Sequence, residues 1–176
     1  MPQAIIIVDV QNGFLNPVTA HIPSVIKNLL DHVPFEHRIF TQFYNPPGSP
    51  FEKLLKWTRL RDDHEVAIAD LLLAYPTVVF RKTIYTCLNQ EFLEYARAHD
   101  IQQFYLAGID TDSCVLKCAV DLFEFGFTPI VLADCCMSHG GINAHEAALS
   151  ILPRYIGKDQ VIADSFLHFG VHRQTE

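Results

Sequence analysis

The stretch LAGIDTDSCVLKCAVDLFEFGF, residues 106–127, joins an apolar run to an amphipathic segment through a short polar turn. A run of this kind followed by a turn and a helix-period segment is half of a βαβ unit, the building block of parallel sheets. The turn carries a cysteine, Cys114, at the junction of the two elements. The stretch therefore predicts both a fold class and the position of a reactive group.

Short apolar runs alternate with helix-period segments along the rest of the chain. The first run, AIIIVDV (4–10), is continuous, as in a central strand that helices bury on both faces. Together the segments predict an α/β fold, a parallel sheet with helices on both sides. The other predicted strands are HRIFTQF (37–43), PTVVFRK (76–82), QFYLAGI (103–109), TPIVLAD (128–134) and QVIAD (160–164), and the predicted helices are 63–75, 89–99, 113–126 and 142–157.

Length, composition and charge restrict the class of protein. The chain has 176 residues, 49% of them hydrophobic and 19% charged, and no linker-like tract, so we expect one folded domain, residues 1–176. Its net charge of -7 without a Lys/Arg cluster excludes the basic surface that nucleic acids require. The AIIIV run is too short for a membrane span and lacks the flanks of a secretory signal. We therefore expect a cytoplasmic protein without nucleic-acid or membrane partners, whose five cysteines are reduced.

Three reactive side chains lie at the carboxyl ends of predicted strands. Asp9 is near the end of the first, Lys82 ends PTVVFRK, and Cys114 lies in the turn after QFYLAGI. Ligands of open parallel sheets bind outside these strand ends. We therefore expect the three side chains to meet in one pocket.

Their chemistry suits a cysteine nucleophile. The positive end of a helix lowers the pKa of a thiol, and we expect this at Cys114. The N–H groups of the same turn can hold an oxyanion, an effect worth roughly 2.7–4 kcal/mol per donor. Asp9 would take the thiol proton and pass it to a leaving amine, while Lys82 would keep the acid ionised.

The segments VDVQNGF (8–14), RKTIYTCL (81–88) and GIDTDSCV (108–115) resemble the three signature segments of the isochorismatase-like cysteine hydrolase family. Their order and approximate spacing match as well, from residue 4 to about residue 164. The resemblance implies a Rossmann-like three-layer αβα fold with a six-stranded, mostly parallel sheet. It also implies hydrolysis of amides, or in one branch a vinyl ether, at small organic molecules, with the catalytic residues Asp9, Lys82 and Cys114. We therefore expect a cysteine hydrolase that cleaves a small amide or related C–N bond through a thioester.

Further properties follow from the same resemblance. It implies a non-proline cis peptide bond between Ile109 and Asp110, and an oxyanion hole formed by the backbone N–H groups of Asp110 and Cys114. It implies homodimers or homotetramers, for which surplus apolar residues on two helices would supply an interface. These residues lie on the helix 142–156 and, on the Cys114 helix, at Leu116, Val120, Phe123 and Phe125.

The chain departs from the metal-dependent nicotinamidases of that family, which hold a metal with an Asp-x-His pair and further histidines. In the corresponding stretch TQFYNPPG (41–48), Phe43 and Asn45 occupy the positions of the pair. Phenylalanine cannot bind a metal, and asparagine is a poor ligand for transition metals. We therefore expect no metal and no cofactor.

The substrate is expected to be a small, flat or partly apolar amide, because an aromatic pocket suits such a molecule. The loop 45–60 is interpreted as a cover over the site, and His139 with its two following glycines as a turn. The expected pocket residues are Phe14, Phe43, Tyr44, Trp57 and Tyr85.

Two alternatives remain open at this point. One is a non-catalytic binding or scaffold protein with the same fold. The other is a thiol redox sensor that uses Cys114 with Cys118 or Cys136. Cys87 and Cys118 are expected to fill space in the core, whereas Cys136 or its neighbour Cys135, after TPIVLAD, is expected to border the pocket.

Overall fold

The computed structural model describes residues 3–171, so the two ends of the expected domain, 1–2 and 172–176, lie outside the described residues. Six strands form one sheet in which every neighbouring pair is parallel. The predicted six-stranded α/β fold is thereby confirmed. The strands are β1 (Ala4–Val8), β2 (His37–Phe43), β3 (Val78–Lys82), β4 (Gln103–Ile109), β5 (Thr128–Met137) and β6 (Val161–Ile162), in the spatial order β3-β2-β1-β4-β5-β6.

Seven α-helices are found in the described part of the chain, together with short 3₁₀ and π-helical turns. Among residues 3–171, none of these helices has the length and apolar character needed to cross a bilayer. The helices are α1 (Ile22–His32), α2 (Pro50–Leu55), α3 (Asp63–Val66), α4 (Gln90–Ala98), α5 (Leu116–Glu124), α6 (Ile142–Ile156) and α7 (Ser165–Phe169).

The side chains of β1 divide between two apolar cores on opposite faces of the sheet. Ile5 and Ile7 lie in the core that also contains residues of α1 and α7. Ile6 and Val8 lie in the other core, with residues of α4, α5 and α6. All of β1 is fully buried, as a strand covered on both faces must be. The continuous apolar run in the sequence is the direct cause of this central position.

The sequence analysis did not assign α1, although its pattern is helical. Ile22, Ile26 and Leu29 are fully buried at spacings of four and three residues, which place them on one side of a helix. Pro23 lies in the first turn, where a missing N–H is tolerated. This helix covers one face of β4 and β5.

The predicted helix over 63–75 is wrong. The segment contains only the four residues of α3 and a 3₁₀ turn, Asp70–Leu72. Its backbone instead bonds to the loop after β1: Ile68 forms an antiparallel bridge with Gln11, and the N–H of Ala69 donates to the carbonyl of Val10 at 3.0 Å. These bonds use groups that a continuous helix would need for itself.

The strand order places a crevice between β1 and β4. From β1 the chain proceeds outward to β2 and β3 on one side, and from β4 outward to β5 and β6 on the other. The connections after β1 and β4 therefore leave in opposite directions. Such a switch point is where open α/β sheets bind ligands.

Gly108 allows β4 to approach β1 closely beside this crevice. Its φ is +128°, and the pairing of β4 with β5 shifts register between Leu106 and Gly108. A Cβ at this position would lie 2.7 Å from the backbone nitrogen of Val8, its partner on β1. The turn after β4 is thus held near the end of β1 by a residue without a side chain.

We expect Gly108→Ala to lower the free energy of unfolding by about 3 kcal/mol or more, because it combines an unfavourable φ with a collision against backbone. Gly126→Ala is the matched control, since Gly126 also has a positive φ of +85° but no atom within 4 Å of the added Cβ. Gly126→Ala should lower the free energy of unfolding by only about 1–2 kcal/mol. Urea unfolding measures both, and equal losses would contradict a close approach at Gly108.

Candidate active site

The side chains of Asp9, Lys82 and Cys114 meet at the carboxyl edge of the sheet. Asp9 directly follows β1, Lys82 is the last residue of β3, and Cys114 lies in a π-helical turn, Thr111–Val115, after β4. Lys82 Nζ lies 2.6 Å from Asp9 Oδ2 and 3.4 Å from Cys114 Sγ. All three residues are buried. The structure therefore brings together the side chains singled out at three strand ends.

Lys82 is held in place by its remaining hydrogen bonds. Its Nζ also donates to the carbonyl oxygens of Ile84 and Tyr85, both at 3.0 Å. An ammonium has three N–H donors, which Asp9 and these two carbonyls account for, so the sulfur at 3.4 Å is a further, weaker contact. Burial alone would lower the pKa of Lys82, but the carboxylate of Asp9 outweighs it and the pKa is raised. Lys82 is therefore a cation in the folded protein.

Thr41, in the middle of β2, orients Asp9. Its Oγ1 donates to Asp9 Oδ1 at 2.5 Å and accepts the backbone N–H of Asp9 at 3.1 Å. The chain leaves the extended conformation at Asp9, where φ is +48°, so the alternation of side chains along β1 stops there. Asp9 Oδ2 has no hydrogen-bond partner within the described residues beyond its ion pair with Lys82.

The Cys114 thiol has a raised pKa, opposite to the lowered value expected at a helix N terminus. Burial is the main cause of the raised pKa. The charge of Asp9 and a hydrogen bond to Asp9 also raise it, whereas the charge of Lys82 lowers it. The turn is buried, so loss of water outweighs its backbone dipoles. The resting sulfur is a thiol beside a carboxylate.

The turn around Cys114 contains one backbone feature implied by the resemblance. The Ile109–Asp110 peptide bond is cis. The carbonyl of Asp110 accepts the N–H groups of Ser113 and Val115, at 3.2 and 3.0 Å. The N–H groups of Asp110 and Cys114 belong to the same turn.

A cavity of about 290 Å³ lies against Cys114. Of the five expected pocket residues, Phe14, Phe43, Trp57 and Tyr85 line it. Tyr44 lies instead on a separate cavity of about 600 Å³. Side chains alternate across an extended backbone, so Tyr44 is directed away from the side that Phe43 occupies.

Other walls of the cavity were not identified from the sequence. α2, within the loop expected to cover the site, contributes Phe51 and Leu55, and the turn contributes Ser113. The Phe51 ring packs edge-on against Tyr85, with centroids 5.0 Å apart. These residues come from loops or a single helical turn, where no periodicity reveals which side chain faces inward.

Asn45 organises the loop that carries these walls. Its Nδ2 donates to the carbonyls of Trp57 and Arg59, at 3.0 and 3.1 Å, and its Oδ1 accepts from Ser49 at 2.5 Å. Each polar atom of the amide is therefore engaged in closing the loop. Within residues 3–171, no group of three or more His, Cys, Asp or Glu side chains is placed to hold a metal ion.

His139 and Asp110 form a second polar pair in the cavity. The carboxylate of Asp110 accepts the backbone N–H of His139 at 2.6 Å and contacts its ring Nδ1. The hydrogen bond to Asp110 raises the pKa of His139, against an opposing effect of burial. The sequence analysis interpreted His139 only as part of a turn.

The reason for this omission is the end of β5. The predicted strand ended at Asp134, but β5 continues to Met137, because Gly108 and Ile109 of β4 pair with Cys136 and Met137 after the register shift. Ligands of parallel sheets bind outside the carboxyl ends of the strands, so a search from Met137, the observed end of β5, would have selected His139.

The same boundary explains the cysteines that follow Asp134. Cys135 and Cys136 lie within β5 and are buried, and neither lines the cavity, in contrast to what was expected for one of them. Cys87 and Cys118 are also buried, and the backbone N–H of Cys87 donates to Cys118 Sγ at 3.1 Å. Among the described cysteines, only Cys114 lines the cavity.

Comparison with solved structures defines the fold. The chain aligns with an isochorismatase-like hydrolase from Alkaliphilus metalliredigens at a TM-score of 0.82 and 16% identity, covering 97% of this chain and 100% of that one. A nicotinamidase from Bacillus subtilis aligns at a TM-score of 0.77 and 22% identity, and the alignment covers 92% of this chain and 99% of that one. An N-carbamoylsarcosine amidase from Thermoplasma acidophilum aligns at a TM-score of 0.77 and 19% identity, and the alignment covers 92% of this chain and 96% of that one. The fold is that of the isochorismatase-like hydrolases.

Sequence comparison gives the family itself. Residues 3–157 match the family model described as the isochorismatase domain, and the chain therefore belongs to the isochorismatase family. Isochorismatase family protein 2A of Dictyostelium discoideum is 25% identical over 139 residues, which cover 77% of this chain and 66% of that protein. Isochorismatase domain-containing protein 2 of Xenopus laevis is 31% identical over 65 residues, 36% of this chain and 32% of that protein. The chain thus matches less than two thirds of the length of these relatives.

The Asp9–Lys82 pair generates a prediction about stability. Lys82→Met leaves a buried carboxylate without its partner and should lower the free energy of unfolding by about 3–5 kcal/mol. The double variant Asp9→Asn/Lys82→Met removes both charges, so its free energy of unfolding should fall by less than that of Lys82→Met alone. Urea unfolding of the single and double variants measures this coupling.

A matched control is the exposed pair Lys27–Asp31, whose charged atoms are also 2.6 Å apart. Its side chains are 42% and 38% exposed, so Lys27→Met should change the free energy of unfolding far less than Lys82→Met does. If Lys82→Met were as mild as this control, the buried pair would not restrain the fold.

Proposed function

We propose that this protein is a cysteine hydrolase that cleaves a small amide or related C–N bond through a thioester on Cys114. The observation that carries the proposal is the contact of one buried ammonium, Lys82, with both Asp9 and Cys114, beside a cavity that Cys114 lines. The nitrogen-directed activities named for the amidase and nicotinamidase neighbours support the choice of bond.

The first step forms the bond between sulfur and the substrate carbonyl carbon. As Cys114 Sγ attacks, its proton passes to Asp9, since the thiol is protonated at rest beside that carboxylate. The carbonyl electrons move onto oxygen, where the N–H groups of Asp110 and Cys114 would stabilise the negative charge. Lys82 stays positive throughout and offsets the charge that develops on the sulfur.

In the second step the C–N bond breaks. The carbonyl re-forms, and Asp9 gives the proton to the departing nitrogen, which leaves as ammonia or an amine. Water then attacks the thioester carbonyl while Asp9 accepts one of its protons. The C–S bond breaks, the proton returns to sulfur, and a carboxylic acid is released.

The cavity supports a small, flat substrate. Phe14 and Trp57 stack with ring centroids 5.8 Å apart and an interplanar angle of 19°. With Phe43 and Tyr85 they line a space of about 290 Å³, close to the lower limit of small-molecule pockets. A compact aromatic or otherwise planar amide matches these walls better than a long or strongly charged one.

The mechanism predicts a specific dependence on one sulfur. Cys114→Ala should reduce ammonia release from a panel of small amides by about a thousandfold or more. Cys136→Ala removes another buried thiol, one that does not line the cavity, and should retain turnover within about tenfold. The measurement is enzyme-coupled ammonia detection on both variants and the wild type.

Thiol labelling separates the alternatives. Alkylation followed by peptide mass mapping should modify Cys114 first, because it is the cysteine beside the cavity. Retained turnover in Cys114→Ala, or first labelling at Cys118, would count against the proposal. A redox sensor would instead give a reversible disulfide between Cys114 and Cys118 or Cys136, and a scaffold protein would show no turnover on any amide.

We also propose that the chain forms a homodimer or homotetramer through an α5–α6 surface. Its support is a set of apolar side chains exposed on or just after these helices, which a second copy would cover. They are Phe123, Phe125, Ile151 and Tyr155, exposed by 52%, 60%, 42% and 53%.

Light scattering tests this interface. The wild type should have two or four times the mass of one 20.0 kDa chain, and Phe123→Asp/Phe125→Asp should dissociate it, because buried charges oppose association. Leu167→Asp alters an exposed apolar residue of α7 and should leave the mass unchanged. A monomeric wild type at micromolar concentration contradicts the proposal.

A further inference from the structure

A buried hydrogen bond joins the turn that carries Cys114 to α6. Thr111, the first residue of that turn, is fully buried, and its Oγ1 lies 2.8 Å from Nδ1 of His145. His145 is the fourth residue of α6 and is only 8% exposed. Neither side chain lines the cavity or takes part in the proton transfers described above. The pair is thus a polar contact in the interior without an assigned role.

The two polar atoms of this pair satisfy each other. The hydroxyl of Thr111 and Nδ1 of His145 have no other hydrogen bond to a described residue. A hydroxyl can donate or accept, so it pairs with the imidazole in either neutral form of the ring. Removing one partner leaves the other buried without a hydrogen bond, which is unfavourable because that group has lost water and gained nothing. The bond therefore favours one position of the turn relative to α6.

The backbone hydrogen bonds of the turn are local. The carbonyl of Asp110 accepts two N–H groups from within the turn. The carbonyl of Thr111 accepts the N–H of Leu116, the first residue of α5. A helical segment of this length is not stable by itself in water. The turn therefore depends on contacts with other elements for its shape and its place.

Side-chain contacts join the turn and the residue before it to other elements. Asp110 bonds to His139, whose side chain is 41% exposed. The ammonium at the end of β3 reaches the sulfur only at 3.4 Å. The bond from Thr111 to His145 is shorter than this second contact, is buried at both ends, and reaches a helix that packs against the turn. It is therefore the contact best protected from water.

The position of this turn matters for the reaction proposed above. Thr111 directly follows Asp110, whose N–H would stabilise the oxyanion. Donors of this kind act only when they are placed for the oxyanion, and a displacement of about 1 Å can cost about 100-fold in rate. The aromatic walls that would hold a substrate come from other segments of the chain. A shift of the turn should therefore slow the chemical step more than it weakens substrate binding.

We propose that His145 is a positioning residue: through its hydrogen bond to Thr111, it holds the turn that carries Cys114 and the oxyanion donors in its reactive place. The residue acts through Thr111 and does not contact the substrate. This inference deepens the proposed hydrolase function and rests on it for the reaction that the turn performs. It gives α6 a part in the active site that the strand-end residues alone do not show.

Removal of either partner tests this role. Thr111→Val has the same shape without the hydroxyl, and His145→Leu removes the ring nitrogen. With the best substrate among acetamide, benzamide and nicotinamide, each variant should lower kcat about 10- to 100-fold and change KM by less than about threefold. The double variant should be no slower than the slower single variant, because both changes remove the same bond. Additive losses would contradict action through Thr111.

Conservative substitutions and a matched control separate the bond from general packing. Thr111→Ser keeps the hydroxyl, and His145→Asn places an amide donor and acceptor close to the position of Nδ1, so both should retain kcat within about fivefold. Tyr95→Phe is the control, because it removes the hydroxyl that lies 2.8 Å from Nδ1 of His37, a bond of the same type and length between β2 and α4. It should leave kcat within about twofold. A loss in Tyr95→Phe equal to that in Thr111→Val overturns the inference.

Amide hydrogen exchange tests the place of the turn without a substrate. In Thr111→Val, the amides of Ser113 and Val115 should exchange about tenfold faster or more, and by a larger factor than the amides of β1, which report on unfolding of the whole chain. Tyr95→Phe should show no such local increase. Near-ultraviolet circular dichroism shows that each variant is folded. Unchanged exchange in the turn of folded Thr111→Val and His145→Leu overturns the inference.

The outcomes distinguish this inference from the proposed function. Faster exchange in the turn, without turnover of any probe amide by the wild type, contradicts the hydrolase alone, because the turn is still shown to depend on His145. Turnover that requires Cys114 but is unaffected by Thr111→Val and His145→Leu contradicts the role of His145 alone.

Discussion

The ion pair between Lys82 and Asp9 is the constraint on which the rest of the site depends. Two charges removed from water are stable only if they meet with good geometry and if their other polar atoms are satisfied. Thr41 and two carbonyls supply those partners, so each charge has one favourable position. The turn after β4 places Cys114 against this pair. The thiol of Cys114 therefore lies beside the carboxylate of Asp9 and within 3.4 Å of the Lys82 ammonium, which stays charged in the folded protein.

The sheet and the loops contribute separate parts of the cavity. The ends of β1, β3 and β4 hold the charged groups and the sulfur, because parallel strands deliver their carboxyl ends to one edge. The aromatic walls come from the loop after β2 and from the turn that carries Phe14. Asn45 and Gln11 join the two parts: the first closes the loop, and Gln11 bonds to both backbone groups of Phe43, at 2.9 and 2.8 Å. The sheet therefore positions the charged groups and the sulfur, while the position of the aromatic walls depends on side-chain hydrogen bonds.

Local pattern predicted most strands and the three strand-end residues, and it failed where distant contacts override pattern. Residues 63–75 have a helical period, yet their backbone pairs with the loop after β1. β5 runs past Asp134 because β4 shifts its register beside it, and for that reason His139 was taken for a turn residue. The lowered pKa expected at Cys114 was derived from the helix end alone, whereas burial and Asp9 dominate in the folded chain. Thr41 gave no signal, because it is one of several polar residues in β2.

The sequence by itself determined the α/β class, the parallel sheet and the family signature, because hydrophobic period and short motifs are local properties of the chain. It also placed Asp9, Lys82 and Cys114 at strand ends. Only the tertiary structure decided which loop residues face the cavity, that Tyr44 does not, and that Asp110 pairs with His139, 29 residues away. Those outcomes depend on strand register and on burial, which arise when separate segments pack together and cannot be read from either segment alone.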